Sequence, residues 1–162
     1  MEIKPIYLKT LYFKGFPFSW AEQDGVVIRA CFCDGKKLKG VFPRAVESNG
    51  GDLERMLKLY FSGKKVNLQE IPLRIEGSPF QRRVWARVRE IPYGKVLTYG
   101  DLARELFTSP RAVGRALASN RWPLLVPCHR VVGKGALGGF TPDVKIKRIL
   151  LELEGGWHDK DG

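Results

Sequence analysis

A cysteine, a histidine and an arginine stand side by side within an apolar stretch, as Cys128, His129 and Arg130 in LLVPCHRVV (residues 124–132). Apolar runs of this kind are normally buried, so reactive side chains inside one need a reason. A free thiol has a pKa of about 8.5, and a neighbouring histidine can take its proton to give a nucleophilic thiolate. The pattern therefore indicates a nucleophilic cysteine.

The backbone around this triplet decides whether its side chains can work together. Adjacent residues of a strand point to opposite faces, so Cys128 and His129 cooperate only if the chain bends or a water molecule carries the proton between them. Pro127 favours such a bend. For a lone cysteine beside a histidine, a buried structural role is the favoured interpretation, so the surrounding elements must decide.

Two short helices are predicted upstream of the cysteine. Thr98 is a typical N-cap for a helix over 99–106, and Ser109-Pro110 begins a second helix over 110–119. The loop between them is only a few residues long. This is the form of a DNA-reading helix-turn-helix, although similar helix pairs occur in many proteins that never touch DNA.

The second helix is unusually bare. Small residues allow its backbone to approach either a neighbouring helix or a nucleic-acid groove, and flanking arginines favour the groove. Gly114 within a helix costs about 1 kcal/mol relative to alanine, so it needs a reason. The small residues are Ala112, Gly114, Ala116 and Ala118, and the arginines are Arg111, Arg115 and Arg121.

The charge balance is compatible with a nucleic-acid partner. The formal net charge is +11, and residues 95–148 carry 10 basic against 3 acidic side chains. Such a segment suits a phosphate-facing surface, although a basic protein can also simply be a soluble one. No stretch approaches the ~20 apolar residues of a membrane span, and the N-terminus lacks the apolar core of a secretory signal. We therefore expect an intracellular protein, cytoplasmic and nucleoid-associated, or nuclear in a eukaryote.

The first half of the chain predicts mixed α and β structure. Strands are expected over 6–13, 17–20 and 26–33, with Asp24-Gly25 as the turn between the last two. A helix over 51–61 would bury one face, with Asp52 as its cap. Residues 67–78 read as a connector, and Ser78-Pro79 begins the next helix.

The remaining cysteines offer no clear chemistry. Three cysteines exclude a full disulfide framework, and together with His129 and His158 they make a structural zinc unfavourable. Cys31 and Cys33 share one face of a predicted strand, where packing is favoured over a strained disulfide. We expect neither a metal nor a cofactor.

Four ordered segments resemble the O6-alkylguanine-DNA alkyltransferases. PCHRV at 127–131 resembles that family's signature, and RAVGRALASN at 111–120 resembles its recognition helix and following asparagine. Residues 78–103 and the ending over 135–155 are also similar to the family pattern. The resemblance covers about 78–156, whereas the first half matches only loosely.

The resemblance implies roles for individual residues. Cys128 would accept the alkyl group, His129 would activate it through a water, Glu154 would orient the histidine and Asn120 would bridge the recognition helix to the active-site turn. Tyr99 would rotate the nucleotide and donate a proton to the base, and Arg111 would enter the stack. Further DNA contacts would come from Ser109, Ala112, Gly114 and Arg115, and the base pocket from Pro123, Val131, Gly138, Phe140 and Thr141.

Two departures from the family pattern limit what can be carried over. Phe140 stands where many members have tyrosine, so any role of that hydroxyl is in doubt here. The turn before Arg111 is shorter than in some members, so its loop contacts to DNA cannot be transferred.

The helix over 143–154 would place Glu154 at its end, where an acid is otherwise usually solvated.

The family fold is a ribonuclease-H-like α/β domain, here 1–74, followed by a mainly helical winged-helix-like domain with the helix-turn-helix, here 77–162. The implied reaction flips O6-alkylguanine out of double-stranded DNA, from the minor-groove side, and transfers the alkyl group irreversibly to Cys128. Each molecule, expected to be a monomer, would act once. The alternatives are a non-catalytic alkylguanine binder, a helix-turn-helix regulator and a cysteine hydrolase.

Overall fold

The computed structural model describes residues 3–48 and 51–157. A four-stranded sheet forms in the first half, in the order β3-β2-β1-β4. The strands are β1 (Ile6–Phe13), β2 (Phe16–Gln23), β3 (Val26–Cys31) and β4 (Val46–Glu47). β2 pairs antiparallel with β1 and with β3, whereas β4 lies parallel to β1.

The predicted turn between β2 and β3 is confirmed. Asp24 and Gly25 both have positive φ, 54° and 77°, as the tightest hairpin turns require. The predicted strand over 17–20 is longer in the structure, and the one over 26–33 ends earlier, at Cys31.

Two helices accompany the sheet, α1 (Gly35–Val41) and α2 (Asp52–Phe61). Helix α1 and the two-residue strand β4 were not predicted from the sequence. Asp34 caps α1 by accepting from two backbone N–H groups. The prediction that Asp52 caps α2 was wrong: the N-cap is Gly51, which offers no side chain, and Asp52 is already helical and pairs with Arg55.

Four helices follow the connector, each with a side-chain cap. Ser78, Thr98 and Ser109 occupy the predicted cap positions, because each hydroxyl can accept from a backbone N–H two or three residues on. The helices are α3 (Pro79–Arg89), α4 (Tyr99–Glu105), α5 (Pro110–Ala118) and α6 (Val144–Glu154), the last capped by Asp143. Between them β5 (Leu97–Thr98) pairs parallel with β6 (Val131–Val132).

One hydrophobic cluster joins the sheet to the helices. The indole rings of Trp85 and Trp122 meet edge to face, 5.4 Å apart, and Trp122 Nε1 donates to the Ile28 carbonyl of β3 at 3.1 Å. Arg89 donates to three backbone carbonyls, of Gln69, Ile71 and Leu125. In the described ranges, no helix is long and apolar enough to cross a membrane.

Candidate active site

The chain bends sharply at the reactive cysteine. The backbone N–H of Cys128 donates to the Val126 carbonyl at 2.7 Å, and Pro127 between them has φ −79° and ψ 66°. These are the values of an inverse γ-turn. A single 3-10 turn, Cys128–Arg130, follows directly. Because this segment is not extended, Cys128 and His129 are released from the strand alternation that would have set them on opposite faces.

His129 is fully buried and bound to a carboxylate. Its Nε2 lies 2.8 Å from Glu154 Oε2. Since an ionised carboxylate only accepts, Nε2 carries the proton and Nδ1 is the acceptor of the neutral ring. Nδ1 has no hydrogen-bond partner among the described residues. Burial lowers the pKa of His129, and Glu154 partly offsets this effect.

Glu154 is held as a buried carboxylate at the end of α6. Arg130 contacts both of its oxygens, through Nε at 2.8 Å and Nη2 at 3.0 Å. Tyr60 Oη donates at 2.5 Å and the Gly94 N–H at 3.4 Å. Burial alone would raise the pKa of Glu154, but His129 and Arg130 hold it well below its usual range. Glu154 is therefore ionised at neutral pH.

Asn120 connects the end of α5 to the cysteine turn. Its Nδ2 donates to the Val126 carbonyl at 2.9 Å, and its Oδ1 accepts from the Trp122 N–H at 2.9 Å. Burial raises the pKa of the Cys128 thiol, whereas a hydrogen bond from Asn120 and the charge of Lys147 lower it.

Lys147 is a site residue that the sequence analysis missed. Its amine is buried beneath the site and donates to the carbonyls of Val131 at 2.6 Å and Gly139 at 3.2 Å and to Tyr99 Oη at 3.4 Å. Burial lowers its pKa to about 8, against the opposite influence of Cys128. Its spacing carried a signal, because Lys147 falls on the same apolar face of α6 as Leu150 and Leu151.

Cys128 opens into a cavity of about 670 Å³ between the sheet, α5 and the loop before α6. Eight residues predicted from the sequence line this cavity. They are Tyr99, Arg111, Gly114, Asn120, Pro123, Cys128, Phe140 and Thr141. The opposite wall comes from the first half of the chain and includes Phe32, whose ring meets Phe140 edge to face at 5.8 Å.

Val131 and Gly138, which were also predicted as pocket residues, do not line this cavity. Val131 is fully buried in β6, and its carbonyl accepts from Lys147. Gly138 has φ +77°, and a Cβ there would lie 2.6 Å from Tyr99 Oη. A side chain at Gly138 would therefore displace Tyr99. Tyr99 itself is half-buried, and burial raises the pKa of its phenol.

The exposed face of α5 presents the predicted DNA contacts. Arg111 and Arg115 are exposed, Ala112 and Gly114 are half-buried, and Ser109 accepts from the Ala112 N–H at 3.1 Å. A Cβ built on Gly114 meets no atom within 4 Å. Close packing inside the protein therefore does not explain this glycine.

Cys31 and Cys33 are joined by a disulfide, with their Cα atoms 5.2 Å apart. Packing was favoured over a disulfide for this pair, and that preference was wrong. Both cysteines line the cavity that holds Cys128. Cys128 is a free thiol. Across residues 3–48 and 51–157, no group of three or more His, Cys, Asp or Glu is arranged to hold a metal. His158 lies outside the described residues.

Known proteins with a similar sequence share one activity in their names. Residues 79–156 match the DNA-binding domain of 6-O-methylguanine DNA methyltransferase. Methylated-DNA–protein-cysteine methyltransferases from Saccharolobus solfataricus and Metallosphaera sedula are 43% and 41% identical, covering 83% and 86% of this chain and 86% of each relative.

Solved structures agree. The O6-methylguanine methyltransferase of Mycobacterium tuberculosis superposes with a TM-score of 0.81 at 28% identity, covering 93% of both chains. The same organism's protein in complex with DNA gives 0.78 at 28% identity, over 91% of this chain and 92% of that one. By sequence and by fold, the chain belongs to the methylated-DNA–protein-cysteine methyltransferase family of direct-reversal DNA-repair proteins.

Proposed function

We propose that this protein removes an alkyl group from O6 of guanine in double-stranded DNA and keeps it on Cys128. The observation that carries the proposal is the free thiol of Cys128, which opens into the cavity while the buried His129–Glu154 pair stands behind it. Such a nucleophile, base and orienting acid form the arrangement that nucleophilic catalysis requires.

Activation of the thiol begins at His129. With Nε2 committed to Glu154, Nδ1 is the free basic nitrogen. A water molecule would carry the proton of Cys128 to Nδ1, leaving a thiolate and an imidazolium. The cation of Lys147 lies close enough to act on Cys128, and it favours the thiolate because opposite charges attract strongly in a buried site.

The transfer step forms one bond and breaks one. The thiolate attacks the alkyl carbon, a Cys128 Sγ–C bond forms, and the C–O6 bond breaks with its electron pair moving onto the guanine. Tyr99 would give its phenolic proton to the base, so that neutral guanine leaves, and Lys147, 3.4 Å from Tyr99 Oη, can return a proton. The product is a thioether with no route back, so each molecule acts once.

The lesion must leave the base stack before the thiol can reach it. We propose that α5 enters the minor groove, with Ala112 and Gly114 allowing close approach and Arg111 filling the space of the flipped nucleotide. Arg115 and the exposed Ser109 end of the helix would contact phosphates. Support comes from the exposure of both arginines and from the open space beside Gly114.

The flipped base would lie in the cavity against Pro123, Phe140 and Thr141. Gly138 would leave room for Tyr99, and the Val131 carbonyl would hold Lys147. Lack of a hydroxyl on Phe140 leaves recognition of the base to backbone groups and to Tyr99. No cofactor is needed, because the damaged DNA is itself the alkyl donor.

We also propose the finer architecture. A ribonuclease-H-like domain over 1–74 is supported by the sheet order β3-β2-β1-β4 with β4 parallel to β1. A winged-helix-like domain over 77–162 is supported by the α4–α5 pair and the small β5–β6 sheet. The protein would act as a monomer in the compartment that holds the DNA, because each site is complete within one chain.

A titration of lesion against protein tests the proposed function. A duplex containing one O6-methylguanine is held in excess, and repaired DNA is counted against the amount of protein. The proposal predicts that repair stops at one lesion per molecule. Continued turnover would favour a hydrolase or a true catalyst, and binding without any repair would favour the non-catalytic lesion binder.

A further inference from the structure

Tyr60 is a buried residue of the first half of the chain that reaches the active site of the second. It lies on α2, is fully buried, and packs edge to face against Phe61 and Tyr93 at 5.6 and 6.1 Å. Its hydroxyl donates to Glu154 Oε2 at 2.5 Å, across 94 residues of sequence. A core aromatic needs no such partner to pack, so the hydroxyl calls for a separate explanation.

Three donors converge on this one carboxylate oxygen. Oε2 of Glu154 accepts from His129 Nε2 at 2.8 Å, from Arg130 Nη2 at 3.0 Å and from Tyr60 Oη. Arg130 donates from a charged guanidinium, and His129 keeps its Nε2 proton but becomes charged when Nδ1 takes a proton in the reaction. Tyr60 is the donor of the three that stays neutral. Burial and the negative charge of Glu154 raise its pKa well above the ordinary value, so it keeps its proton throughout.

A donor that shares an acceptor oxygen weakens the other bonds to it. Because Oε2 of Glu154 accepts a hydrogen bond from Tyr60, it interacts less strongly with His129. The carboxylate therefore stabilises the imidazolium form of His129 less than it would without Tyr60. The Tyr60 bond also fixes the direction in which Oε2 faces His129.

We propose that Tyr60 is a positioning residue of the alkyl-transfer site, which holds Glu154 Oε2 against His129 and limits how basic that histidine becomes. The first half of the chain thereby acts on the chemistry of Cys128. This role rests on the proposed function of Cys128 and His129. The charged groups that act on His129 are Glu154 and Lys147 from α6 and Arg130 beside it, and Cys128 is its neighbour in sequence. Tyr60 from α2 reaches His129 through Glu154, and Tyr93 packs against Arg130.

Tyr60→Phe tests this role, because it removes the hydroxyl and keeps the ring in the core. Tyr93→Phe is the control: it also removes a tyrosine hydroxyl from the core, here that of a half-buried residue, which donates to the Leu153 carbonyl at 3.4 Å and not to Glu154. The full-length proteins are compared by thermal unfolding, by NMR titration of labelled histidine and by single-turnover transfer from an O6-methylguanine duplex between pH 5.5 and 8.5. The chain has only two histidines, so the titration is readily assigned.

We expect Tyr60→Phe to move the titration of His129 upward by about half a pH unit, and the acid limb of the transfer rate with it. The variant should lose more rate at the acid end of the series than at pH 8, approaching a difference of about threefold, equivalent to about half a pH unit, only where His129 is mostly protonated, while Tyr93→Phe keeps the wild-type profile. The proposal is overturned if His129 titrates alike in all three proteins, including the case in which both variants are slower to the same degree. Methyl transfer to Cys128 by the wild type is scored separately, so a failure of the proposed function itself would be seen there.

Discussion

Arg130 donates two parallel hydrogen bonds to the Glu154 carboxylate, from Nε to Oε1 at 2.8 Å and from Nη2 to Oε2 at 3.0 Å. Its Nη1 donates to the Ile91 carbonyl at 2.7 Å. Both side chains are almost completely buried. The pair keeps the carboxylate ionised beneath His129, so it serves both the stability of the fold and the chemistry of the site.

Replacing this arginine by lysine should be severe. Lys cannot make the forked contact, so Arg130→Lys leaves buried polar groups unsatisfied, and we expect a loss of about 3–5 kcal/mol in the free energy of unfolding. Urea unfolding measures the change. Arg104→Lys, in an exposed pair with Asp101, should change stability by less than about 0.5 kcal/mol. A loss at Arg130 no larger than the loss at Arg104 would contradict the account.

The free energy of unfolding should decrease as the pH is lowered, because His129 and Glu154 are buried in the site. The pKa of His129 and that of Glu154 are both below their ordinary values in the folded protein, so the unfolded chain binds protons more readily. The contribution of His129 is therefore lost as the pH falls below about 6.5, and that of Glu154 as it falls below about 4.3. Unfolding free energies measured between pH 3 and 8 test both windows.

Glu154→Gln should be less stable at neutral pH and should depend less on pH below about 4.3, because the residue that titrates there is gone. Glu105→Gln, which removes an acid from a half-exposed pair with Arg87, is the control and should keep the wild-type slope. Equal acid slopes for Glu154→Gln and the wild type would show that Glu154 is not a source of the acid sensitivity.

Lys147 should set the reactivity of the thiol. Lys147→Met removes a buried cation near Cys128, so the pKa of the thiol should rise by about one unit or more. The rate of iodoacetamide alkylation against pH reads this pKa directly, because the other two cysteines are joined in a disulfide. Lys145→Met, on the exposed side of the same helix, should leave the profile unchanged. An unshifted profile for Lys147→Met would remove the lysine from the mechanism.

Replacing Gly114 by alanine should raise the stability of the protein but lower its affinity for DNA. Gly114→Ala adds a methyl group that meets no atom of the protein and stabilises the helix by up to about 1 kcal/mol. The same methyl group would stand between α5 and the groove, so we expect affinity for duplex DNA to fall about threefold or more. Thermal unfolding and fluorescence anisotropy measure the two effects. Higher stability with unchanged affinity would mean that α5 does not approach DNA closely at this point.

Replacing Arg111 and replacing Arg115 should impair different steps, the transfer reaction and the binding of DNA respectively. Arg115→Ala should weaken binding of any duplex and reduce the slope of log K against log salt by about 0.9, as the loss of one phosphate contact does. Arg111→Ala should leave that slope nearly unchanged but slow transfer from duplex DNA about tenfold, because the flipped state loses its support. Salt titrations and single-turnover rates separate the two. If only Arg111→Ala changed the salt slope, Arg111 and not Arg115 would be the phosphate contact, which would contradict the proposal.

Local signals in the sequence were enough to place helices α3, α4 and α5, whereas the candidate nucleophile Cys128 depended on the family resemblance. The caps at Ser78, Thr98 and Ser109 lie where predicted, because a cap depends on residues two or three positions away. The predicted cap at Asp52 was wrong by one residue, because the helix begins at Asp52 itself and Gly51 occupies the N-cap position.

Contacts between distant segments could be predicted only where the family resemblance supplied them, as for Glu154 and His129. The bond from Tyr60 to Glu154 spans 94 residues, and nothing near Tyr60 in sequence indicates it. Spacing along α6 places Lys147 on the buried face, but its bonds to Tyr99 and to the Val131 and Gly139 carbonyls require the tertiary structure. The pairing of Cys31 with Cys33 also ran against the expectation from strand geometry.

The central claim is that one alkyl group moves from DNA to Cys128. Intact-mass measurement of the protein after incubation with an O6-methylguanine duplex, followed by peptide mapping, tests it directly, with Cys128→Ala alongside. The account predicts that the wild type gains the mass of one methylene group, located on Cys128, and gains no second one, while the variant binds the duplex and stays unmodified. A wild-type protein that binds the duplex with no gain in mass, or a gain that persists in the variant, would contradict it.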